Sequence, residues 1–208
     1  MLGGFDRFTR ALTLLNGRLV LLGSPRFNLV VCGGSALVAA GYLDRATKDI
    51  DVVALADDAG VLIDPEPFPS MLVQAVGEVA VDLGLPKDWL NNGPSSGDGG
   101  IFRLGLPAGF AGRVTWQKIG DRLWVGLVSR YDQIHFKLYA GVDRSGGYHA
   151  DDLRALAPND DEMVAAAAWA LSHDPSEGFL QALVWFLTEF GYGHIVERIQ
   201  GHGSGSPA

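Results

Sequence analysis

The chain has 208 residues, 48% hydrophobic and 19% charged, with 24 acidic against 16 basic side chains and a formal net charge of -8. That size allows one domain with a substantial core, or a core with a small helical appendage, and leaves no room for two large domains. The acidic balance excludes a generally basic nucleic-acid-binding surface, and the single cysteine, Cys32, excludes an internal disulfide and fits a reducing compartment.

At the N-terminus, Phe5, Phe8, Leu12, Leu15 and Val20 recur at helical spacing with Asp6, Arg7 and Arg10 between them, which predicts an amphipathic helix over 5–20. No compact apolar stretch there precedes a small-residue cleavage site, so no signal peptide is expected. No segment approaches the roughly 20 apolar residues that span a bilayer. The expected setting is therefore the cytoplasm, without membrane association. SPRFN breaks the helix. LVVCGG then reads as a short apolar strand ending in glycines, with Cys32 a small core residue, and SALVAAGYL as a helix with Ser35 as its N-cap. TKDIDVVAL is the next strand.

Residues 57–69 are rich in Asp and Pro and read as a loop, MLVQAVGEVAVDLGL as a helix, and PKDWLNNGPSSGDGG as a long loop in which Trp89 is a packing anchor. RVTWQKI and RLWVGLVS are strands joined by the turn-forming pair Gly120-Asp121. SRYDQIHFKLYAGVDR is helical, SGGYH interrupts it, ADDLRAL begins another helix, and the chain is apolar and helical from Asp160 to Ile199 apart from a break at DPSEG. The expected organisation is a core over 1–157, a C-terminal helical segment over 158–200 and a disordered tail over 201–208.

Two features carry chemistry. The turn Gly33-Gly34-Ser35 lies between a strand and a helix, where free backbone N–H groups favour an anion such as phosphate and a residue without Cβ admits close approach. Asp49 and Asp51 stand one residue apart in an apolar strand, so alternation sends both to one face. Their mutual repulsion requires a cation. It is either Arg45 or Lys48 in a structural ion pair or a divalent metal, and hard carboxylate oxygens suit Mg²⁺. A phosphate cradle followed by paired acids describes a site for a nucleotide with its Mg²⁺. His135, His149 and His173 have no metal-ligand spacing to one another.

The run GGSALVAAGYLDRATKDIDVV, with its Gly-Gly-Ser turn, helix and Asp-Ile-Asp strand, resembles the signature of the DNA polymerase beta-type nucleotidyltransferase superfamily. Together with KDWLNN and FKLYAGVDR followed by DDLRAL, it is similar to a bacterial group containing the AbiEii-type toxins and related nucleotidyltransferase-like proteins. The resemblance covers roughly 28–156. It implies an α+β fold with a nucleotidyltransferase-type mixed β-sheet flanked by helices. It further implies that Gly33, Gly34 and Ser35 hold nucleotide phosphates, with Arg45 and Lys48 facing them, and that Asp49 and Asp51 ligate Mg²⁺. The usual third strand carboxylate is missing here, since RVTWQKI and RLWVGLVS contain no acid. In the AbiEii-like group a later stretch stands in its place, which maps to Lys137, Arg144 and Asp152. Lys137 would neutralise phosphate oxygens; read from its apolar neighbours alone, it is equally a surface lysine with a buried stem.

The implied activity is transfer of a nucleoside monophosphate from a nucleoside triphosphate to an RNA or protein acceptor, in a toxin–antitoxin or phage-defence system with a cognate partner protein. Arg103, Arg113, Lys118 and Arg122 could form a local basic channel for RNA. The opposing expectation is a nucleotide-binding or antitoxin-like protein that kept the fold and lost catalysis. In a third, the C-terminal helices bearing Trp169, Trp185 and Phe186 form a partner surface, against the plainer expectation that these side chains pack on the core.

Overall fold

A computed structural model describes residues 4–143 and 147–203, and the chain divides into two compact units between Ser129 and Arg130. The expected division after 157 would keep residues 130–157 with the N-terminal part; here they belong with the helices that follow.

The first unit is a mixed six-stranded sheet flanked by helices, an α+β arrangement. In chain order it comprises α1 (Gly4–Leu21), β1 (Phe27–Cys32), α2 (Gly33–Ala39), β2 (Ile50–Ala56), β3 (Leu62–Ile63), α3 (Ser70–Leu83), β4 (Leu90–Asn91), α4 (Ile101–Leu104), α5 (Phe110–Arg113), β5 (Thr115–Lys118) and β6 (Leu123–Leu127). The strand order is β3-β2-β1-β6-β5, with β4 paired to β2. β1 runs parallel to β6 and antiparallel to β2. These central strands are apolar runs without alternation because both of their faces are covered.

Register slips between Val30 and Val31, which face Ala54 and Val52, so Val53 is an extra residue in β2. The bulge switches which residues reach the core. Ile50 and Val52 before it and Leu55 after it join one cluster, although strict alternation would send Leu55 to the other face. Ser95, fully buried in the long loop, donates its hydroxyl to the Val53 carbonyl at 2.7 Å. The core forms where Ala11, Leu15 and Leu19 of α1 and Leu72, Ala75, Val76 and Val79 of α3 meet Leu29, Val31 and Val125 of the sheet. Trp89 is the expected packing anchor: it is fully buried, and its Nε1 donates to the Val76 carbonyl at 3.0 Å. The β5–β6 turn is held from α1, where Asn16 Oδ1 accepts from the Arg122 amide at 2.9 Å.

The second unit is helical: α6 (Arg130–Asp143), α7 (Tyr148–Leu156), α8 (Asp160–His173), α9 (Glu177–Glu189) and α10 (Val196–Gly203). α6 packs against α7, α8 and α9, which explains why 130–157 belongs to this unit. Arg130 fastens the three-helix junction. Its guanidinium donates to the carbonyls of Leu156 at 2.8 Å and Ala157 at 2.7 Å, where α7 ends, and grips both oxygens of Glu162 in the first turn of α8. Glu162 also closes a capping box with Asn159. α10 continues through Gly203, three residues into the tail expected from 201, and the rest of that tail, 204–208, lies outside the described residues. No helix among the described residues is long and apolar enough to cross a membrane.

Candidate functional site

β1 delivers the chain to the turn at Cys32, a buried residue as expected, and α2 begins at once with Gly33. Cys32, not Ser35, occupies the N-cap, with no side-chain capping bond. The expected cap is displaced because α2 starts at Gly33, which makes Ser35 its third residue.

Gly33 has φ +73°, a left-handed conformation that strains any residue with a Cβ. A Cβ placed there would lie 2.6 Å from Asp51 Oδ2. The cause is register: Asp51 faces Cys32 across the antiparallel β1–β2 ladder, so its carboxylate reaches the first residue of the turn. On its other side Asp51 faces Asn91 of β4. Asp51 is half-buried between two neighbouring strands.

The expectation that both acids lie within one strand needs correction. β2 begins at Ile50, whose amide donates to the Trp89 carbonyl at 2.7 Å, and Asp49 precedes it as a half-buried residue outside the ladder. Strand alternation therefore fixes Asp51 but not Asp49. The connection before β2 folds back over the turn: a Cβ on Gly34 would meet Thr47 Cγ2 at 3.2 Å and Arg45 Nη2 at 3.3 Å. Gly33, Gly34, Arg45 and Asp51 are thus gathered at one spot. Lys48 is exposed. The Ser35 Oγ is buried without a hydrogen-bond partner among the described residues.

The remaining predicted residues lie in the second unit. Lys137 of α6 and Asp152 of α7 form an ion pair at 2.8 Å, their side chains only 6% and 1% exposed. The surface-lysine reading of Lys137 is thereby overturned, because the whole side chain, ammonium included, is inside. Its Nζ also lies 5.8 Å from the centre of the Tyr148 ring. Asp132, Gln133, His135 and His149 are buried on the same two helices. Arg144 lies outside the described residues.

Of the basic residues proposed as a channel, Arg103 is held by Asp64 at 2.8 Å and Glu66 at 3.2 Å, and its hydrogen bond to Asp64 raises its pKa further above the usual guanidinium value. Lys118 pairs with Asp121 at 3.1 Å, so the acid at the β5–β6 turn points to the hairpin's own lysine. Among the described residues no group of three or more His, Cys, Asp and Glu side chains is arranged to hold a metal. Mg²⁺ binds through one or two carboxylates while waters and substrate phosphates complete its shell, and Asp51 and Asp49 are of that donor type.

Asn91 and Thr47 were not singled out by sequence reasoning. The KDWLNN run was a signal for the first, but its position beside Asp51 depends on the two-residue β4, which no periodicity reveals. Comparisons of the chain with protein-family models, with curated proteins and with solved structures find no match.

Proposed function

We propose that this chain is a Mg²⁺-dependent nucleotidyltransferase of the DNA polymerase beta type, related to the AbiEii-like bacterial group, acting in the cytoplasm. The observation that carries the reading is the close approach of Asp51 to Gly33: the Gly33-Gly34-Ser35 turn at the end of one strand abuts a carboxylate on the next, where a Cβ on Gly33 would not fit. The mixed sheet flanked by helices is compatible with that fold.

On this reading the amides of Gly33, Gly34 and Ser35 bind triphosphate oxygens, and Arg45, close to Gly34, adds a guanidinium that recognises phosphate by a forked pair of hydrogen bonds. Asp49 and Asp51 would hold Mg²⁺, which when bound offsets charge on the phosphates. The acceptor hydroxyl attacks the α-phosphorus in line, the bond from that phosphorus to its bridging oxygen breaks, and pyrophosphate leaves. The acceptor is an RNA or protein hydroxyl, and a cognate toxin or antitoxin protein would control the activity.

A second reading is a nucleotide-binding or antitoxin-like partner without catalysis. It is favoured by the lack of any acid in β5 and β6 and by the commitment of Asp152 to Lys137.

Isothermal titration of each nucleoside triphosphate, with and without Mg²⁺, tests the site in the wild type and in the Asp49→Asn, Asp51→Asn double variant. Mg²⁺-dependent binding lost in the variant is the expected result, and absence of binding by every triphosphate sinks both nucleotide readings. Incubation with α-labelled triphosphate and cellular RNA or protein then separates them: label transfer marks the enzyme, and binding without transfer marks the inactive partner.

A further inference from the structure

We propose that the first unit contains a separate site for a small uncharged ligand, a cavity beneath α2 that takes a single apolar ring bearing one hydrogen-bonding group, as in the phenol class. The cavity has a volume of about 160 Å³ and is lined by Leu12 of α1, Val38 of α2, Ile50 of β2 and Val125 of β6, with Ser35 and Gln117 among its few polar members. An apolar protein cavity of roughly 150 Å³ accommodates benzene, so this space matches one six-membered ring and is too small for a drug-sized ligand.

Among the described residues the lining contains no Asp, Glu, Lys, Arg or His, which disfavours a charged occupant on desolvation grounds. It also disfavours a pyrimidine base, which presents two donors and two acceptors where, of the polar lining members Thr9, Ser35 and Gln117, only Ser35 has a buried side-chain atom without a hydrogen-bond partner among the described residues. One polar group on the ring has a defined counterpart in Ser35, whose buried Oγ has no hydrogen-bond partner among the described residues. A buried hydroxyl left unpaired is unfavourable, so a phenolic O–H reaching it gains binding that benzene cannot. Neither Asp49 nor Asp51 lines the cavity, and the nucleotide reading uses the Ser35 backbone amide where this site uses its side-chain hydroxyl, so the two share that residue but not the same atom.

Ligand-observed NMR and calorimetric titration of the full chain with phenol, benzene and uracil test it. Saturable phenol binding is expected, with benzene about tenfold weaker, corresponding to one hydrogen bond, and uracil not bound. Ser35→Ala should bring phenol down to the affinity of benzene. Val38→Phe, which fills the cavity, should abolish binding of both while leaving triphosphate binding as in the wild type. Non-saturable phenol binding to the wild type overturns the proposal, as does a Ser35→Ala variant that binds phenol unchanged or a preference for uracil. All three are read apart from the triphosphate titration, so either site can fail without the other.

Discussion

Substituting Gly33 by Ala perturbs two things at once, and the structure allows them to be separated. The left-handed conformation at φ +73° costs an Ala roughly 1–2 kcal/mol. The new Cβ would also stand 2.6 Å from Asp51 Oδ2, a distance that forces the carboxylate to move. Because that atom is the end of a side chain and not backbone, the added cost lies at the low end of overpacking, about 1 kcal/mol. Gly41, at φ +79° and with nothing within 4 Å of where a Cβ would stand, supplies the control. Gly41→Ala should therefore lose about 1–2 kcal/mol and Gly33→Ala about 2–3 kcal/mol, read as shifts of the urea midpoint at constant slope. Replacing Asp51 by Ala removes the offending oxygen, so Gly33→Ala in that background should cost no more than Gly41→Ala. A coupling of about 1 kcal/mol in this double-mutant cycle is the signature of the contact. Equal costs of Gly33→Ala with and without the Asp51 carboxylate would refute the claim that turn and acid form one unit.

Three further outcomes follow from contacts elsewhere. Lys137→Met and Asp152→Leu each remove one partner of a buried ion pair and should destabilise by about 3–5 kcal/mol, whereas the double variant recovers most of the loss; thermal unfolding within about 0.5 kcal/mol of wild type for either single variant would contradict a buried pair. Ser95→Ala should cost about 1–3 kcal/mol by leaving the Val53 carbonyl unsatisfied in the sheet, measured by urea denaturation, and a neutral effect would show that the bulge does not depend on the loop. Arg130, by hydrogen bonding, holds Glu162 below the usual glutamate range, so its stabilisation is complete above pH ~4.3 and declines as pH falls through the lower folded-state value. Glu162→Gln should therefore flatten the acid side of the stability profile, and an unchanged acid limb would remove Glu162 as its source.

Elements of the fold were readable from the sequence where one physical rule governed the residues. α1 announces itself by helical spacing, β1 and β2 by short apolar runs before and after a glycine turn, and the β5–β6 hairpin by Gly120-Asp121. The short pieces were not readable. β3 and β4 are two residues each, and α4 and α5 four each, too short for any period to emerge. The unit boundary was hidden for a different reason. α6 looks like a helix with scattered polar residues, yet Asp132, Gln133, His135 and Lys137 are buried, and α7, α8 and α9, against which α6 packs, follow later in the chain. A sequence pattern assigns polar residues to solvent. Only packing shows that these face inward.

The candidate site divides along the same line. The Asp-Ile-Asp pattern treats Asp49 and Asp51 as equivalent because alternation is its only geometric rule. Pairing breaks the equivalence: the ladder with β4 begins at Ile50 and Asp51, so the second acid is fixed by strands on both sides while the first stands outside. A carboxylate positioned by backbone pairing needs little reorganisation when a cation arrives, whereas one outside the ladder must be ordered by the ligand itself. Register also explains the glycine. Gly33 follows the residue that faces Asp51, so the space a Cβ would occupy is already taken by the acid that the turn serves. Two motifs separated in the sequence by a helix and a loop are therefore one constraint in space, and it is this coupling, more than either motif alone, that supports a ligand site at the end of β1.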